Sequence, residues 1–217
     1  MSFPNAAKGV KRIFTAEILG LISAVITIIA VVLMIITLAA AKANSESGTI
    51  VAGVGTGFFT IAAAVLSLIS GIMALVGIIN ASKDEGAFKT ALIMIVVSLC
   101  AAIVAAIFSR NATVQSICQI IQNLMGIFVT VFVIKGVTNL ADRLNDDDVS
   151  RQGRNLLTII IVVYALALIA NIIVLIFGGM FASVTAGVIA VVALVLQIVG
   201  YFVYLSLLSK GKNMLAE

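Results

Sequence analysis

The chain has no histidine, no tryptophan, two cysteines and a single proline, and only 10% of its 217 residues are charged. Without histidine, His-dependent zinc sites, haem ligation through imidazole, and His-based triads or proton relays are excluded within this chain. The lone proline is Pro4, so every later apolar segment is free of proline kinks. No Gly-rich phosphate loop and no G-x-S-x-G elbow occurs. No aspartate lies inside an apolar run, which argues against an aspartyl intramembrane protease. Cys100 and Cys118 flank the turn at Arg110 and read as small apolar packing groups rather than a redox pair. No enzymatic activity, cofactor or metal is expected.

What fills the chain instead is apolar. Hydrophobic residues make up 63% of it and the mean hydropathy is +1.29, whereas ordinary soluble domains carry about 25% charged residues. A helix needs roughly 20 apolar residues to cross about 30 Å of hydrocarbon. Six runs qualify, at about 15–41, 52–80, 87–108, 112–134, 156–177 and 184–208. They are too long for barrel strands and lack the alternation that a water-facing lumen imposes. The expected fold is therefore all-α: a polytopic membrane protein with six transmembrane helices in three hairpins, about 15–80, 87–134 and 156–208, and a cytoplasmic loop at 135–155. The stretch Ile18–Ala41 exceeds a typical signal-peptide core, so the first run reads as a span and not a cleaved leader.

Lysine and arginine favour the cytoplasmic side of short connections. With the N-terminus inside, Lys8, Lys11, Arg12, Lys83, Lys89, Lys135, Arg143, Arg151, Arg154, Lys210 and Lys212 all fall on that side, and only Lys42 and Arg110 lie outside. Both termini are accordingly expected in the cytoplasm, with the plasma membrane as the location. The net charge of +4 reads as topology and attraction to anionic head groups, and no nucleic-acid partner is expected. Asp146, Asp147 and Asp148 lack the glycine and terminal glutamate of a calcium loop, and read as a solvated turn favouring the start of the fifth helix. The N-terminal stretch "NAAKGVKRIF" reads either as a short interfacial helix or as a basic tail.

The hairpins resemble one another. Each odd run opens with a threonine after basic residues, at Thr15, Thr90 and Thr158, and each even run carries a glycine before an apolar pair, at Gly71, Gly126 and Gly200. A threefold repeat of one orientation, about an axis along the membrane normal, is the simplest description.

The glycines stand nine to twelve residues before the basic exits at Lys83, Lys135 and Lys210. At about 1.5 Å per residue this is near the bilayer centre. Polar side chains precede them: Ser67 and Ser70, Gln122 and Asn123, and Gln197. On the fourth run Gln115 and Gln119 extend the pattern as a polar stripe. Amides facing lipid leave donors and acceptors unpaired, so this layer must meet another helix, a water-filled cavity or a second subunit. Interhelical hydrogen bonding, a polar pathway or small neutral-solute site, and a subunit interface all remain open.

Small residues mark candidate packing faces: Ala16, Gly20 and Ala24, spaced by four on the first run, Gly53 and Gly57 at the head of the second, and the glycines at 71, 126 and 200. Glu17 is the only acid near a span. It sits in the first turns of its helix, suited either to the positive helix end or to ion or proton coupling.

These features point to a non-enzymatic membrane component, either a subunit of a larger assembly or a self-associating structural protein, with the lipid bilayer and a homo-oligomeric or membrane-protein partner. The alternative is a small transporter or channel. Six helices with a small-residue first helix are similar in general form to the substrate-binding subunits of vitamin-uptake systems. That resemblance implies docking on an energising partner through Ala16, Gly20 and Ala24, although the short outer connections depart from it.

Overall fold

In hydrocarbon every backbone N–H and C=O must be paired within its own segment, so long proline-free apolar runs become helices. The computed structural model describes the backbone of residues 3–42, 46–177 and 179–216, and the side-chain surroundings of these except 38, 40–54, 112, 167, 168, 170–188 and 190. Six helices follow in order: α1 (Pro4–Lys42), α2 (Glu46–Ala81), α3 (Gly86–Ile107), α4 (Ala112–Leu144), α5 (Asp147–Phe177) and α6 (Gly179–Met214). There is no strand among the described residues. Five helices carry, within described residues, stretches long and apolar enough to cross a membrane: Pro4–Thr37, Gly55–Ala81, Gly86–Ile107, Thr113–Leu144 and Val191–Met214. The run at 156–177 is helical within α5, and the surroundings of much of its far half lie outside the described residues.

Helix boundaries differ from those read off polarity. The segment 135–155 is a loop only at Asn145 and Asp146, because α4 continues to Leu144 and α5 begins at Asp147. Polar composition there concealed a helical period: Val133, Val137, Leu140 and Ala141 recur at spacings of three and four and are buried. The N-terminal stretch is neither a tail nor a separate helix. Pro4 opens α1 at the position where a missing N–H and a fixed φ suit a helix start. The connections between the first and second and between the fifth and sixth apolar runs are likewise shortened, since α1 ends at Lys42 and α2 opens at Glu46, and α5 ends at Phe177 and α6 opens at Gly179.

The chain divides into two compact units. The smaller, Lys11–Gly77, pairs the bodies of α1 and α2 antiparallel. Ser23 Oγ donates to the carbonyl of Ala63 at 2.9 Å, and Ser70 Oγ to that of Ala16 at 2.8 Å. A Cβ at Gly55 would stand 3.3 Å from Leu33 Cδ1, in the same register.

The larger unit comprises Met1–Val10 and Ile78–Glu217. In it α3 packs along α4, α5 along α6, and α4 against α5. Its fully buried side chains gather where the basic residues are: Val10, Phe88, Ile134, Val137, Leu140, Leu156, Leu207 and Leu208. Side chains nearer the middle of α3 and α4, such as Ile93, Val96, Ile117 and Ile120, are exposed. This is the pattern expected when lipid solvates the spans and water surrounds the ends, since only the ends experience a hydrophobic driving force for burial.

Candidate functional site

Polar chemistry in the larger unit occurs at two levels, and the sequence pointed to only one of them. At its basic end, the turn between α2 and α3 presents Asp84 and Glu85. Asp84 Oδ2 accepts from the backbone N–H of Ala6 at 2.8 Å, and Oδ1 from Asn5 Nδ2 at 3.0 Å. An orphan donor in the first turn of α1 is thereby capped from a distant part of the chain. Glu85, only 5% exposed, is the N-cap of α3. Its Oε1 accepts from Asn139 Nδ2 at 3.0 Å, and its Oε2 lies 2.9 Å from the Arg143 guanidinium, both on α4. A buried carboxylate needs such partners, because desolvation penalises its charged form.

Further along α4, Asp142 accepts from Ser150 Oγ and lies 3.8 Å from Arg154, joining α4 to α5. Asn145 takes the left-handed conformation at φ 54, and the Asp146 N–H returns to the Ala141 carbonyl at 2.9 Å. This is a Schellman-type helix end. Asp146 Oδ1 then accepts from Val149 N–H and opens α5, while Asp147 and Asp148 occupy the first turn as the expected dipole partners. The carboxylates of this end are thus committed to caps and ion pairs, and among the described residues no group of three metal-ligating side chains forms.

Three glycines missed by sequence reading hold this end together. A Cβ on Gly136 would lie 2.5 Å from the Phe88 ring, one on Gly211 would lie 2.8 Å from Val137, and one on Gly153 would overlap the Thr138 side chain. The available signal was their position beside apolar residues at helical spacing within segments that looked too polar to pack.

At the second level, that of the polar residues expected at the midplane, Ser67 and Ser70 belong to the smaller unit and Gln122, Asn123 and Gln197 to the larger. Ser70 is used between α1 and α2, as described above. Ser67 is exposed and borders a cleft of about 390 Å³ within the smaller unit, whose hydroxyls come from Ser23, Thr27, Thr56 and Thr60. Thr27 and Thr60 donate to carbonyls four residues back, at 2.9 and 2.7 Å. On α4, Gln115 Nε2 donates to the Ser109 carbonyl at 2.8 Å and so closes the α3–α4 turn. Asn111 caps α4 there by accepting from Thr113 and Val114 N–H. Gln119, Asn123 and Gln197 are exposed and Gln122 is half-buried, and none of these four amides makes a hydrogen bond among the described residues.

The small-residue faces are only partly used. Ala16 is buried, and a Cβ on Gly20 would meet Ser70 Oγ at 3.4 Å. Ala24, however, is exposed, and Ser23 takes the buried place expected for it. The seam therefore steps 16, 20, 23, by four and then three, as helices packed at a shallow angle require. A Cβ on Gly200 would meet Ile159 of α5 at 3.4 Å, whereas one on Gly57, Gly71 or Gly126 would find nothing within 4 Å. The surroundings of Gly53 lie outside the described residues. Glu17 is half-buried on α1. Cys100 is exposed on α3, Cys118 is buried on α4, and both are free thiols. Comparison with known protein families, with characterised proteins and with solved structures finds no match.

Proposed function

We propose that this multi-pass helical membrane protein is a non-enzymatic component of the membrane, acting by association: a self-associating structural protein or the subunit of a larger assembly. The observation that supports this reading is the set of α4 amides, Gln119, Gln122 and Asn123, which make no hydrogen bond among the described residues and lie within a stretch long and apolar enough to cross a membrane. Unpaired polar groups cost several kcal/mol each in hydrocarbon, so the surface that bears them is one that expects cover. The commitment of the basic-end carboxylates to caps and ion pairs agrees with a structural role.

The finer reading places three hairpins of one orientation in the plasma membrane with both termini cytoplasmic. The recurrence of Thr15, Thr90 and Thr158 after basic residues, and of Gly71, Gly126 and Gly200 before apolar pairs, supports a common hairpin plan.

A small transporter or channel is the second reading, and the same amides favour it, since a water-filled route along α4 would satisfy them as well as a protein partner would. The two separate in a thiol-accessibility scan with single cysteines at Gln115, Gln119 and Gln122 in a background lacking Cys100 and Cys118. Gln115, at the turn, should react with a membrane-impermeant reagent and serves as the control. Silence at Gln119 and Gln122 is expected for an associating surface; reaction at both would reveal a water-filled route and overturn the first reading.

A further inference from the structure

Three close contacts fix the surroundings of α4 at the basic end. Phe88 of α3 lies against Gly136, Gly211 of α6 against Val137, and Gly153 of α5 against Thr138. Successive residues of a helix turn by about 100°, so Lys135 falls in the arc between the α3 and α5 contacts, on the side of α4 away from α6. The residues one and two turns further on agree: Asn139 donates to Glu85 at the start of α3, and Asp142 accepts from Ser150 of α5. Among the described residues α3 and α5 each pack on α4 but not along one another, which leaves a groove floored by this strip. Of residues 133–138 only Lys135 is exposed, and it has no hydrogen-bond or ion-pair partner among the described residues. Across the groove Arg154 is held loosely, its guanidinium 3.8 Å from Asp142 and its side chain 62% exposed.

Away from the basic end the same strip turns apolar and stays accessible, through Val131, Phe128 and Leu124. On α5, Ile161 stands exposed two turns from Arg154 on the same side. From Lys135 to Leu124 is eleven residues, about 16 Å of helix, which matches the roughly 15 Å of one hydrocarbon leaflet. The strip runs on the far side of α4 from the amides, since the nine residues from Gly126 to Lys135 make two and a half turns.

We propose that this groove binds one anionic phospholipid of the leaflet at the basic end, its phosphate between Lys135 and Arg154 and one acyl chain along Val131, Phe128 and Leu124. The occupant follows from charge complementarity. Arg143 is already paired with Glu85, so Lys135 and Arg154 against Asp142 leave one net positive charge at the head of the groove. A cationic head above an apolar channel one leaflet long matches a lipid whose own head carries net negative charge. A zwitterionic lipid brings its own cation to the same place and gains less. The inference goes beyond the associating role proposed above and concerns the opposite face of α4, so either stands without the other.

The test uses the full chain in phosphatidylcholine vesicles containing a minor fraction of phosphatidylglycerol, with a bimane fluorophore on Leu124→Cys in a background lacking Cys100 and Cys118. Brominated acyl chains quench on contact, so brominated phosphatidylglycerol compared with brominated phosphatidylcholine reads the relative occupancy of the groove. Phosphatidylglycerol should be preferred. Lys135→Gln should reduce the preference about fivefold, the scale of one lysine at an anionic surface, and Lys135→Arg should retain it. Lys210→Gln, the same charge change on α6, should leave it unaltered. Equal quenching by the two lipids, or a preference that survives Lys135→Gln, would overturn the site. An equal loss with Lys210→Gln would also overturn it, because the preference would then belong to the basic end as a whole. Native mass spectrometry of the unlabelled chain from the same vesicles should show one retained phosphatidylglycerol that Lys135→Gln loses; its absence from the wild type would count against the site independently of the fluorophore.

Discussion

At the scale of single residues, the glycines separate positions where space is used from positions where it is merely open. Gly136→Ala or Gly153→Ala drives a methyl group into Phe88 or Thr138. Either is expected to destabilise the detergent-solubilised protein by about 1–3 kcal/mol, the usual cost of overpacking, read as a lowered Tm. Gly71→Ala and Gly126→Ala meet nothing and should leave the Tm of the monomer unchanged; an equal loss at all four sites would sink this distinction. The Glu85 and Arg143 pair makes a second prediction. Arg143→Met leaves a buried carboxylate with Asn139 as its remaining partner on α4. Because Arg143 is itself half-exposed, the expected loss is about 1–2 kcal/mol, below that of a fully buried pair. Glu85→Gln in the same background should recover part of it. Glycine at the midplane was legible from the sequence, but which glycines are crowded was not, since a neighbour such as Phe88 is 48 positions away from Gly136.

At the scale of elements, the six helices could be read from apolar run lengths, because hydrocarbon leaves the backbone no alternative. Their ends could not. Residues 135–155 carry four basic and four acidic side chains and resemble a loop by composition, yet one stripe at helical spacing is enough to keep them helical once it has a face to pack on. The corner they form depends on Asn145, the only described non-glycine residue with positive φ. Asn145→Gly should be close to neutral, whereas Asn145→Val should destabilise by about 1–2 kcal/mol, because a β-branched side chain clashes in the left-handed region. Amide hydrogen exchange at Ser150 and its neighbours in the first turn of α5 would report the damage; unaltered exchange in the valine variant would count against the corner as a structural determinant. The α1 seam teaches the same lesson on a smaller scale. Small residues spaced by four suggested Ala24, and the pairing with α2 selected Ser23 instead, because two packed helices repeat every three and a half residues rather than every four.

At the scale of the whole chain, the distribution of lysine and arginine predicts an orientation with both termini on the cytoplasmic side. Single cysteines replacing Lys83 or Lys212 should react from the cytoplasmic side of sealed vesicles and one replacing Arg110 from the opposite side, as the positive-inside rule requires; labelling of all three from one side would refute the expected topology. Length, apolar content and absent residue types determined by themselves that this is a helical membrane protein without histidine chemistry, because solvation by lipid acts on every residue of a span regardless of its neighbours. The sequence also marked the amides of α4, whose cost in hydrocarbon is a property of the side chain alone. Tertiary structure alone decided which polar groups find partners. It tied Glu85 to Asn139 and Arg143, capped α1 with Asp84, closed the α3–α4 turn with Gln115, and left Gln119, Gln122 and Asn123 open. Hydrogen bonds and close contacts depend on atoms brought together from distant positions, and no local pattern encodes that meeting.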